Sequence, residues 1–298
     1  MKSLLQSLCL AAATLAVAPA SFAGDPQHVA RIRESVAFDQ KLGVELDLTV
    51  PFLDEEGRSV RLGDYFGKKP VLLVPVYFGC PQLCTQVLNG LVDGLKEMSL
   101  EPGRDFEIVT FSIHPLETPE SARDKKAVYL EALGKPEAAG SWHFLSADPK
   151  TNIAPGAPLT ADGKVDPDAW HNPSIDSITS KIGFRYAYDT EIGEYAHAAG
   201  VVVVTPEGTT SKYLYGIRFL PRDLRLSIVD SSNGKVGSLA DQLFLWICYH
   251  YDPLSGKYSF AVVNTLRALA VLTVLGLISY ILIKLRRERV TARLQTGG

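Results

Sequence analysis

The sequence predicts an α/β fold preceded by a β-hairpin and followed by one membrane helix, and three observations lead there. Two apolar, β-branched runs at residues 71–78 and 106–113 flank a helical pattern, so they read as buried parallel strands joined by a helical crossover. Strand and helix patterns then alternate to residue 229. Each end of the chain carries a long apolar stretch of a different kind.

Taken in order, residues 1–23 read as a secretory signal: Lys2, an apolar stretch over 4–20, and small residues at Ser21 and Ala23 before a cut. Residues 24–43 are mixed and polar, a tether or an edge element with a short helical pattern at 28–37, and His28 there is expected in solvent. Residues 44–53 and 59–62 form a strand pair around the turn at Glu56 and Gly57. The run over 71–78 follows, Gly79 breaks it, and Cys80 and Cys84 lie where the next helix starts. A helix N-terminus offers free N–H groups and partial positive charge, which favours a thiolate.

After the strand over 106–113, Thr118 as N-cap, Pro119 at the first helical position and Gly134 past the end bracket a second helix. Residues 142–145 read as a strand. Residues 147–176 hold five of the eighteen prolines and little periodicity, which marks an insertion loop. A short helix at 174–182, strands at 186–189, 199–204 and 210–217, and a helix at 221–229 complete the core. The order hairpin, β-Cys-α-β-α-β, α, β-hairpin, α is that of a thioredoxin-like α/β sandwich over residues 44–230.

Residues 231–259 form an extension before the apolar stretch at 260–283, which carries only Arg267 and ends in a cationic cluster. About 20 apolar residues suffice to span a bilayer and flanking positive charge marks the cytoplasmic side, so a single-pass anchor with tail 284–298 inside is expected. With the signal, this places the main domain on the outer face of a bacterial inner membrane. A net charge of −3 over 298 residues excludes the polycationic surface that nucleic acid requires.

Two cysteines at i and i+4 share one helix face, close enough for a chelate or a reversible disulfide. On spacing alone, metal binding, redox chemistry and a structural disulfide all stay open. Cys248, His250 and Asp252 alternate by two, which on a strand would put a Cys-x-His metal pair on one face. A buried thiol or an apolar strand with an aromatic belt of Trp246, Tyr249 and Tyr251 fits the same residues.

The stretches Phe-Gly-Cys-Pro-Gln-Leu-Cys from Phe78, Ser-Ile-His-Pro-Leu-Glu-Thr-Pro-Glu from Ser112, and Tyr-Ala-His-Ala-Ala-Gly followed by four valines from Tyr195 resemble the SCO/SenC family. These are exported, thioredoxin-like proteins that assist copper insertion into cytochrome c oxidase. The resemblance implies copper, as Cu(I) or Cu(II), on Cys80, Cys84 and His197. It implies the copper-bearing oxidase subunit as partner, with other copper chaperones or thiol reductants beside it. It also implies a metallochaperone more than an enzyme; the alternative is a thiol–disulfide reductase using Cys80 and Cys84 as its redox pair. Thr85 stands where the family has proline and His114 where it has aspartate, which raises His114 as an extra donor. Two thiolates and an imidazole are soft to borderline donors, which suits copper better than Mg²⁺, Ca²⁺ or Mn²⁺.

Overall fold

The structure is a computed structural model, and it describes residues 25–157, 168–237, 251–252, 257–258, 267, 269–277, 279–280 and 283–284. The chain divides into a unit Met1–Val236 and a unit Gly237–Gly298. The first unit begins with α1 (Pro26–Ser35), capped by Asp25, and the two-residue strand β1 (Ala37–Phe38). The hairpin β2 (Pro51–Leu53) and β3 (Ser59–Arg61) follows. β4 (Val71–Val76) is buried at every residue because both its faces are covered, which explains a continuous apolar run where a half-exposed strand would alternate.

α2 (Leu83–Glu97) buries Cys84, Val87, Leu88, Leu91, Val92 and Leu95, an i, i+3, i+4 stripe, beneath the sheet's cover. β5 (Glu107–Ser112) lies parallel to β4 and β6 (Trp142–Leu145) parallel to β5. Between them α3 (Pro119–Leu133) starts at Thr118, whose side chain accepts from the Ser121 amide, and stops at Gly134. Gly134 sits at φ 69°, the left-handed conformation that favours glycine.

α4 (Pro173–Lys181), β7 (Phe184–Asp189), β8 (Glu194–His197), β9 (Gly200–Val204), β10 (Thr210–Tyr215) and α5 (Pro221–Ser232) complete the unit. The main sheet runs β10-β9-β4-β5-β6, with β9 antiparallel to β4; a second sheet runs β1-β7-β8. In the second unit β11 (Tyr251–Asp252) pairs antiparallel with β12 (Lys257–Tyr258).

Three expectations need correction. The membrane helix over 260–283, and with it the single-pass inner-membrane placement with a cytoplasmic tail, is not what the structure shows. Among the described residues no helix is long and apolar enough to cross a membrane. Apolar composition is a condition for a membrane span and is not by itself evidence of one.

His28, expected in solvent, is packed instead: its side chain is 9% exposed and its Nε2 lies 2.8 Å from Asp189 Oδ1 on β7. The local sequence is polar, but the partner is far along the chain. Strand β8 is absent from the order expected from the sequence, and it carries His197 on the second sheet. Its four residues turn back from β7 across a tight bend at Gly193 (φ 71°), too short a run to declare a period. Residues 1–23, Cys248 and His250 lie outside the described residues.

Candidate metal centre

Cys80 follows the end of β4, and Cys84 sits in the first turn of α2. His197 is the last residue of β8, paired with Tyr186 on β7. The turn after β4 and the start of α2, adjacent in sequence, therefore meet β8 from far along the chain, and one ligand atom from each of Cys80, Cys84 and His197 lies within 4.8 Å of the other two. All three residues are buried, and both thiols are free.

His197 Nδ1 lies 2.8 Å from the Ala198 carbonyl, which can only accept, so Nδ1 carries the ring proton. Nε2 then presents its lone pair to the cysteines, and it stands 2.9 Å from Cys84 Sγ. This is the arrangement of a ligand histidine, whose second nitrogen is anchored so that the first is aimed. Tyr77 and Phe184 flank the imidazole, each ring 5.9 Å from it.

The two thiols differ in environment. A hydrogen bond from the Cys84 thiol lowers the Cys80 pKa most; burial opposes it, and the amides of Cys84 and Gln82 lower it further, to about 3. The Cys84 amide, 3.3 Å from Cys80 Sγ, is one of the unpaired N–H groups of the α2 N-terminus. Cys84 is pushed the other way, chiefly by burial and then by its neighbour thiolate, and receives the Tyr77 amide at 3.3 Å. The pair therefore holds one thiolate and one thiol, and the single Cys84 proton has two acceptors, Cys80 Sγ and His197 Nε2.

His114 is close to this trio without joining it. Its Nδ1 accepts from the Leu116 amide at 3.1 Å, and its ring meets Tyr195 edge-on at 5.1 Å. It lines, with Tyr77, Gly79, Pro81, Glu117 and Glu194, a cleft of about 510 Å³ beside the cysteine loop. Thr85 keeps its place in the helix's first turn by donating from Oγ1 to the Cys80 carbonyl at 3.3 Å. Sequence reading missed Tyr77, whose amide donates to Cys84 Sγ, and Glu117, whose carboxylate accepts from the amides of the cysteine loop, donors that leave no residue pattern.

No family model matches the chain, and no curated protein matches it. Solved structures do. A putative electron transfer protein from Aquifex aeolicus is 20% identical over 67% of this chain and 98% of its own, with a TM-score of 0.51. A SCO1/SenC family lipoprotein from Bacillus anthracis is 17% identical over 66% of this chain and 99% of its own, with a TM-score of 0.46. A copper-bound ScoI from Arabidopsis thaliana is 19% identical over 65% and 99%, with a TM-score of 0.43. Sco/SenC proteins are thus among the solved structures this chain resembles. At these identities the likeness is one of fold.

Proposed function

We propose that this protein takes up copper on Cys80, Cys84 and His197 and hands it on during assembly of the copper site of cytochrome c oxidase. The observation that carries the reading is the convergence of two free thiols and an aimed imidazole nitrogen within 4.8 Å, with no carboxylate in the group. Two sulfurs and one nitrogen suit a soft or borderline ion. Three protein donors leave a coordination position free, whereas structural zinc takes four. The free position is where a recipient's ligand can attach before the cargo leaves by ligand exchange.

The residues divide the work. Cys80, already a thiolate, makes the first bond without losing a proton. Cys84 gives up its proton as the cation replaces it, so loading releases a proton and weakens as pH falls. His197 supplies the neutral donor. In a copper titration in each oxidation state, wild type should bind one ion tightly and His197→Ala should bind at least tenfold more weakly with its melting temperature retained. Equal affinity in the two proteins contradicts the reading.

A second reading has its own observation: one thiolate beside one protonated thiol is the arrangement of an attacking and a resolving cysteine. The Cys80 thiolate attacks one sulfur of a partner disulfide; that S–S bond breaks as the mixed disulfide forms, and the partner's other sulfur leaves as thiolate. Cys84 then loses its proton to His197 Nε2 and displaces the partner, which leaves with both thiols reduced as Cys80–Cys84 becomes the disulfide. A dithiol reductant must restore the pair. His197 serves both readings, so its loss does not separate them. Steady turnover of a disulfide substrate by copper-free protein favours the second, and its absence alongside tight copper binding favours the first.

A further inference from the structure

We propose that Glu117 is the positioning residue of this centre: its carboxylate locks the backbone that leads into Cys80, and so sets the donor geometry and the copper affinity. The proposal rests on the copper reading for its main test.

Three successive amides between β4 and Cys80 have fixed partners. Tyr77 N–H donates to Cys84 Sγ at 3.3 Å. Phe78 N–H donates to Glu117 Oε2 at 2.7 Å, and Gly79 N–H to Glu117 Oε1 at 2.6 Å. The Ser112 hydroxyl donates to Oε2 as well, and Ser112 Oγ accepts from the His114 amide at 2.9 Å. Ser112 ends β5 and Glu117 directly precedes the cap of α3. The carboxylate therefore ties the C-terminal ends of two adjacent parallel strands and grips the turn on which Cys80 rides.

Rotation of that turn would swing the Tyr77 amide off Cys84 and carry Cys80 Sγ away from the α2 amides. Both thiols' positions are thus coupled to one side chain that touches neither. Only a carboxylate fits all three donors, because each needs an acceptor and a glutamine would turn an NH₂ toward one of them. Charged acceptors also make the stronger bonds. Gly79 shows how close the grip is: a Cβ there would stand 3.3 Å from Glu117 Oε1, so Gly79→Ala presses on the same carboxylate.

Removing such an outer support of a metal ligand costs about 10–100-fold in affinity. Glu117→Gln in the full chain is therefore expected to weaken copper binding by about tenfold or more and to shift the copper–thiolate charge-transfer band. Glu117→Asp, with two acceptor oxygens on a shorter stem, should recover part of both. Ser112→Ala and Gly79→Ala, milder changes at the same bracket, should give intermediate losses and keep the assay usable if Glu117→Gln does not fold. A lowered melting temperature with unchanged affinity and an unchanged band overturns the proposal, since that is what a purely structural carboxylate would give. Cys80 alkylation by iodoacetamide needs no metal. If wild type binds no copper, the copper reading falls, and an alkylation rate altered several-fold by Glu117→Gln still supports the positioning role, while an unaltered rate ends it.

Discussion

Cys80 and Cys84 carry the same side chain four residues apart and ionise in opposite directions. Cys80 is held to about 3, against about 8.5 for a free thiol. Its lowered pKa contributes stability in full above the unfolded value and loses it as pH falls toward 3. Cys84, raised by burial, contributes below the unfolded value and loses its contribution as pH rises past about 8.5. The reduced, metal-free protein should therefore lose stability on both sides of roughly pH 8 from these two groups. Melting temperatures of wild type and Cys80→Ser, measured from pH 8 to pH 4, should converge as pH falls; a constant gap contradicts the thiolate assignment. Among the site residues, the cysteine pair was legible from its spacing, and His197 was named from the resemblance. Glu117 was not, because its role runs through amides that every residue possesses.

At the scale of elements, the cluster of Cys80, Cys84 and His197 depends on how α2 lies over the sheet. Gly90 and Gly94, one turn apart, face the chain before α5. A Cβ on Gly90 would fall 1.9 Å from the Ile217 carbonyl oxygen, and one on Gly94 would fall 2.4 Å from that of Phe219. The two glycines let helix and loop backbones meet, so Gly90→Ala has to displace α2. It should destabilise by about 1–3 kcal/mol, read by denaturant unfolding, the cost of overpacking a close contact. A neutral effect would show that the helix is free to shift. Strands β4, β5 and β6 and helix α3 were legible because their patterns are long or capped. β8 was not: its four residues, Glu194 to His197, gain their strand state from pairing with β7, which itself pairs with the two-residue β1. Such pairing is a tertiary effect that overrides a weak local signal.

For the molecule as a whole, the core built on β4 joins the cysteine turn to the sheet, and the second sheet, β1-β7-β8, brings the histidine to it. The apolar stretch at 260–283 shows the limit of composition: hydropathy alone suggested a span that the described helical residues do not make. The histidine, by contrast, joins the cysteine pair only in three dimensions, with Cys84 and His197 separated by 113 residues of chain. Copper loaded on the full protein tests that convergence most directly through its X-ray absorption spectrum. Wild type should show two sulfur neighbours and one nitrogen per copper, with the nitrogen lost in His197→Ala and one sulfur lost in Cys84→Ser. A copper environment of oxygen and nitrogen alone, or one unchanged in both variants, would contradict the account.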